Sequence, residues 1–168
     1  MFKRIRLRLR DMKTVSQLIS GADQQANILG EEEPAAEHFV LSALNLSDGT
    51  AKRVFDRIGA NPDNFLSAIK QQYTDALSSV GINHDAIETD PEPIENSKLF
   101  HNSKPSGQAV MKSLYVSKQG DKDRPLLGAH VVAVAADMEF GIVARALKAM
   151  GIDRSQLAKA ARDELDSA

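Results

Sequence analysis

Apolar residues recur along this chain in short stretches with helical spacing. Between residues 49 and 58, Ala51, Val54, Phe55 and Ile58 sit at i, i+3, i+4 and i+7, one face of a helix. Residues 140–150 repeat the figure with Val143, Ala146, Leu147 and Met150. A glycine follows each stretch, Gly59 and Gly151, where a left-handed residue closes a helix. Residues 35–46, behind Pro34, predict a short apolar helix carrying Phe39, Val40, Leu41 and Leu44. Asn61-Pro62 pairs an N-cap with a first-turn proline and predicts a helix to about Leu77. Thr14 with Gln17 fits a capping box, so a first helix is expected over 14–30, ended by Gly30. Further helices are expected over 105–119, over 126–138 and after the Asp153/Gln156 pair. Residues 1–13 differ. Ile5, Leu7 and Leu9 alternate with Arg4, Arg6, Arg8 and Arg10, and this period of two predicts an extended arm.

The run Val131-Val132-Ala133-Val134 fits a buried strand by composition. An internal repeat decides for helix. Shifting residues 38–69 by 92 lays them on 130–161 without a gap. His38 then falls on His130, Ala43 on Ala135, Gly49 on Gly141, Arg53 on Arg145 and Gly59 on Gly151. The apolar face of the third helix coincides with that of the seventh, and the caps Asn61 and Asp153 coincide too. Two copies of one supersecondary unit follow. The expected fold is all-α: two pseudo-repeated four-helix units, about eight helices, packed as a single domain. The expected segments are a basic arm (1–13), a first repeat (14–78), an acidic linker (79–104) and a second repeat (105–168). The linker is rich in Pro, Asn and acids and has little periodicity.

Composition narrows the chemistry. A chain of 168 residues with 42% hydrophobic and 26% charged residues suits one soluble domain. The absence of cysteine excludes disulfides, thiolate metal sites and cysteine nucleophiles. No apolar run is long enough to cross a bilayer, and a cytoplasmic location is the default expectation. The net charge of −2 is unevenly spread: residues 1–13 carry +5 and the remainder −7. A basic arm on an acidic body invites a nucleic-acid reading, but no nucleic-acid motif and no interleaved aromatic platform accompanies it.

These residues resemble the Clp-N domain, the double repeat that precedes the ATPase modules in ClpA- and ClpC-type unfoldases. The family's Met-Phe-x-Arg start appears as Met1, Phe2 and Arg4. Its Gly-Thr-Glu-His segment appears as Ala35-Ala36-Glu37-His38, and in the second copy as Leu127-Gly128-Ala129-His130. Its Glu-Gly-x-Ala-x-Arg-x-Leu segment appears as Asp48–Phe55, with Phe140–Leu147 in the second copy. Leu-Gly-Val-Asp appears as Ile58-Gly59-Ala60-Asn61 and as Met150-Gly151-Ile152-Asp153. Lys104-Pro105 stands where the family has Thr-Pro. The 168 residues contain no Gly-x-x-x-x-Gly-Lys-Ser/Thr phosphate loop, so a stand-alone module without the ATPase is expected.

The resemblance implies a non-catalytic module that binds substrate polypeptides or adaptors of the Clp system. In ClpC-type members the glutamate of Thr-Glu-His helps to recognise phosphoarginine. A carboxylate pairs with guanidinium, and a helix N-terminus offers amides to phosphate. Glu37 matches that glutamate, while Ala36 replaces the threonine. Gly128 and Ala129 replace both in the second copy, whose site is expected to be disabled. Phe2 matches a phenylalanine that contributes to the family's peptide surface. The peptide or phosphoarginine-like site is therefore expected at Glu37, Ala36 and Phe2. His38 and His130 are expected to be packed, hydrogen-bonded structural residues, and Arg53 and Arg145 to form structural ion pairs. No serine has a base in a nucleophile motif, so no catalytic residue, cofactor or metal is expected. The expected partners are protein or peptide substrates and a Clp adaptor or ATPase, with no membrane partner. Two alternatives stand beside this: a regulatory mimic that docks on an adaptor or unfoldase without presenting substrate, and nucleic-acid binding through the basic arm.

Overall fold

A computed structural model describes residues 2–81 and 103–168. Every regular element among them is a helix. In chain order they are α1 (Phe2–Ile28), α2 (Ala36–Leu44), α3 (Thr50–Arg57), α4 (Asn64–Ser79), α5 (Pro105–Gly120), α6 (Gly128–Ala136), α7 (Ile142–Ala149) and α8 (Arg154–Ser167). The all-α, eight-helix expectation holds, and 126–138 is helix, as the repeat required. Most of the linker expected at 79–104 lies outside the described residues.

The repeat extends to the helix ends. Gly59 and Gly151 adopt φ +69° and +71°. Just beyond them, the Ala60 and Ile152 amides donate back to Phe55 and Leu147 at 3.0 and 2.9 Å. Each glycine thus lets its helix turn back and satisfy otherwise orphaned carbonyls. Asp153 caps α8 as expected, accepting from the Gln156 amide at 2.9 Å. Asn61 accepts from the Asp63 amide at 3.0 Å, and regular helix follows one turn later.

One expectation fails. Residues 2–13 form no extended arm; α1 runs unbroken from Phe2 to Ile28. Thr14 is no N-cap but a buried mid-helix residue whose hydroxyl donates to the Arg10 carbonyl at 3.1 Å. The physical reason is propensity. Arg, Leu, Lys and Met are good helix formers, and no Gly or Pro interrupts residues 2–20. Alternating Leu and Arg satisfies a period of two and still leaves a continuous helix.

The two short apolar helices α2 and α6 form the centre and pack on each other. All nine residues of α2 are buried. α1 covers α2, and α5 spans both central helices. The outer helices are exchanged: α3 packs on α8, and α4 on α7. The third helix of each copy therefore lies against the fourth helix of the other. One core joins them, with Leu18, Phe39, Phe55, Phe65, Leu147 and Leu157 essentially inaccessible. The Phe55 and Phe65 rings meet in a tilted pair 6.2 Å apart. Close approach needs a missing side chain at Gly107, where a Cβ would stand 2.8 Å from the Pro34 carbonyl oxygen. That contact seats the start of α5 against the start of α2.

Candidate functional site at the start of α2

The start of α2 is organised by His38. Its Nδ1 accepts the Ala35 amide at 2.8 Å. His130 does the same for Leu127 at 3.0 Å in the second copy. Both histidines are buried, and burial pushes both below their ordinary pKa. They are helix caps in the neutral form. With Nδ1 accepting, Nε2 carries the proton and points to the Tyr73 hydroxyl, 3.4 Å away. Tyr73 in turn donates to Glu37 Oε1 at 2.7 Å. Burial, then the Glu37 carboxylate, pushes the Tyr73 hydroxyl far above its usual range. A directed chain therefore runs from the Ala35 amide through His38 and Tyr73 to Glu37.

Glu37 is buried to within 4% of its surface and lines a hollow of about 280 Å³. Ala36, Tyr73, Lys104, Phe140 and Arg145 also line it. Lys104 pairs there with Glu31, and the Ser106 hydroxyl receives the Ala36 amide at 3.2 Å. Of the expected site residues, the structure brings Glu37 and Ala36 together. Phe2 is elsewhere, 82% exposed at the outer end of α1, and does not line this hollow.

The internal repeat shows what is particular about the hollow. At the start of α6, the equivalent place is filled by the chain itself. Asp48 Oδ2 accepts the Gly128 amide at 3.1 Å, and Thr50 Oγ1 accepts the Ala129 amide at 2.8 Å. Asp48 Oδ1 also receives the Thr50 amide and hydroxyl, which locks both side chains in place. A shift of 92 turns Asp48 into Phe140 and Thr50 into Ile142, neither of which has a side-chain acceptor. The α6 site is sealed by a carboxylate and a hydroxyl from α3. The α2 site is left open, with two cationic side chains at its wall.

The same asymmetry separates the two arginines. Arg53 and Arg57 on α3 both bond to Glu164 on α8, at 2.6 and 2.8 Å. Burial raises the Glu164 carboxyl, but the two guanidiniums outweigh it and hold its pKa below the usual range. The register partner of Glu164 is Gln72, so α4 offers Arg145 no acid there. Among the described residues Arg145 forms no ion pair. The structural ion pair expected for Arg53 is present, made with the other copy; that expected for Arg145 is not.

On the other side of the first turns of α5 lies a larger groove, about 580 Å³, between α1 and α5. Val15, Ile19, Phe39, Met111, Leu114 and Tyr115 make its lining mostly apolar. Asp11, Lys112 and Lys118 stand at its edge. Sequence reading missed both this groove and Tyr73. For Tyr73 a signal existed: its register partner is Leu165, so a polar tip appears in one copy only. For the groove there was none, because its lining residues reach across α1 and α5 and read individually as core.

Residues 12–93 match the family model for the Clp repeat (R) N-terminal domain. No curated protein matches the chain. Among the described residues no helix is long and apolar enough to cross a membrane, and no cluster of His, Asp and Glu is arranged to hold a metal ion.

Proposed function

We propose, for a chain that carries a Clp-N-like domain, a non-catalytic role in binding substrate polypeptides or adaptors of the Clp system. The observation that carries this reading is the apolar groove between α1 and α5. Monomeric domains rarely keep so much apolar lining open to solvent without a ligand for it. Its volume suits one or two large apolar side chains of a polypeptide, and Lys112 in its lining offers a donor to a peptide carbonyl. The hollow at the start of α2 lies across the same stretch of α5 and supplies charge: a carboxylate at Glu37 and a cation at Arg145. A phosphoarginine or other doubly charged side chain fits that combination, with guanidinium toward Glu37 and anion toward Arg145.

Titration of the full chain with a fluorescent, permanently unfolded apolar polypeptide tests the groove. Met111→Glu changes a groove residue that is only partly buried. It is expected to weaken binding about tenfold or more, with the helical circular dichroism unchanged. Equal affinity of wild type and Met111→Glu refutes the groove. Titration with a phosphoarginine peptide tests the hollow separately, and equal affinity for wild type and Glu37→Ala removes Glu37 from the site.

A further inference from the structure

The first three turns of α1 stand apart from the core. Among the described residues, none before Thr14 is buried. Leu7 and Asp11, four apart and half-buried, turn toward the body. Asp11 is consumed there. Its Oδ1 accepts the Leu126 amide at 2.7 Å, and its Oδ2 lies 3.2 Å from Lys118 Nζ. It is the only acid in residues 1–13. The outward surface of these turns therefore carries Lys3, Arg4, Arg6, Arg8, Arg10 and Lys13 with no acid among them. None of the six forms an ion pair among the described residues.

The apolar residues are equally well sorted. Phe2, Ile5, Leu9 and Met12 are spaced 3, 4 and 3 apart and lie on one face. They are 82, 50, 61 and 68% exposed. At 100° per residue this stripe points away from the side carrying Leu7, Thr14 and Leu18, and basic residues flank it on both sides. An extended arm would have had no such face.

We propose that the first three turns of α1 bind an anionic lipid surface, lying in its plane with Phe2, Ile5, Leu9 and Met12 among the acyl chains and the six cations among the headgroups. A short helix with a charge-free apolar stripe between cationic flanks is built for that boundary. Nucleic acid would satisfy the arginines but leave the stripe in water. The anionic surface satisfies both. The charge division also sets the orientation: the arm, at +5, faces the surface, and the remainder, at −7, is repelled from it. The polypeptide groove meets α1 on its body-facing side, where Asp11 and Val15 line it, opposite the apolar stripe, so the two functions use different faces and fail separately.

Flotation of the full chain with vesicles tests this. The vesicles contain phosphatidylcholine alone, or equal parts phosphatidylcholine and phosphatidylglycerol. Wild type is expected to float only with the anionic vesicles, and less as salt rises. Ile5→Ser with Leu9→Ser, both at exposed positions, is expected to lose binding about tenfold or more. Arg6→Gln with Arg10→Gln is expected to lose about 25-fold, since each cation near such a surface is worth about fivefold. Circular dichroism confirms that both variants remain helical. The proposal is overturned if wild type floats with neither vesicle, floats equally with both, or if the serine pair binds as wild type does. It is overturned equally if duplex DNA binds the arm in preference to anionic vesicles and the serine pair leaves that binding intact, which makes the cations a phosphate contact and the stripe irrelevant.

Discussion

Glu164 ties the two halves of the domain together, and its removal has a calculable cost. Its carboxylate is 5% exposed and receives two guanidinium hydrogen bonds, at 2.6 Å from Arg53 and 2.8 Å from Arg57. A hydrogen bond to a charged group contributes about 1.5–3 kcal/mol. Arg53 and Arg57 are 52% and 39% exposed, so water recovers much of what they lose, as at other surface pairs. Glu164→Gln keeps the shape, leaves one acceptor and turns an amide donor on the second arginine. The expected cost is about 2 kcal/mol, a fall in Tm of about 4–8 °C for a chain of this size. Urea denaturation followed by far-UV circular dichroism measures it. The pH dependence is a second check. The folded pKa of Glu164 lies below its unfolded value of about 4.3. Its contribution is thus present above about pH 4.3 and disappears as pH falls through the lower folded value. Wild type and Glu164→Gln should converge there. Arg145→Met supplies the control, because its register partner is Gln72, and should cost less than about 0.5 kcal/mol. If Glu164→Gln costs no more than Arg145→Met, the exchanged packing of α3 on α8 is not held by this carboxylate.

Other outcomes follow from the same geometry. His38 and His130 are held below their usual value by burial. The stability they contribute is full above about pH 6.5 and is lost as pH falls through 6.5 toward the folded values. Urea midpoints taken from about pH 7.5 down to 5 should drop, and His38→Gln with His130→Gln should flatten that slope. Tyr73→Phe removes the donor to Glu37 Oε1 and should cost about 1–2 kcal/mol by denaturation. Gly107→Ala drives a methyl to 2.8 Å from the Pro34 carbonyl and 3.1 Å from the Phe39 ring. It should cost about 1–3 kcal/mol, because backbone rather than a flexible side chain must give way.

The helices were legible because the sequence carries their signals locally. Ala51, Val54, Phe55 and Ile58 show one face within eight residues, and Gly59 marks its end. The repeat resolved the one ambiguous stretch, 131–134, where composition alone allowed a strand. The N-terminal arm was misread because alternating Leu and Arg suits either period, while the decisive spacing of Phe2, Ile5, Leu9 and Met12 emerges only once Phe2 and Met12 are read with the rest. What joins the two copies was not legible at all. One oxygen of Asp48 accepts the Thr50 amide within its own turn, and nothing local announces that the other bonds the start of α6, 80 residues away. Glu164 lies 111 residues from Arg53 and 107 from Arg57.

Those long-range pairs explain why a doubled sequence gives a domain with one open site. The repeat builds the same helix start twice, with a histidine cap in each copy. First-turn amides then face the partner copy at each start, although at α2 the Ser106 hydroxyl already accepts the Ala36 amide. In one direction the partner supplies Asp48 and Thr50, and a few residues along α3 it supplies Arg53, matched by Glu164. In the other direction the same register supplies Phe140, Ile142 and an Arg145 matched only by Gln72. Substituting Phe140→Asp with Ile142→Thr should therefore close the α2 site as the α6 site is closed. The new hydroxyl would take the Glu37 amide, worth about 1 kcal/mol, while the new carboxylate would compete with the Ser106 hydroxyl for the Ala36 amide. Urea denaturation should show a gain in stability, and any ligand of the α2 hollow should lose affinity in the same variant. A variant that is destabilised, and binds such a ligand as well as wild type does, would show that the two helix starts are not equivalent sites and that the hollow is not the open member of a pair.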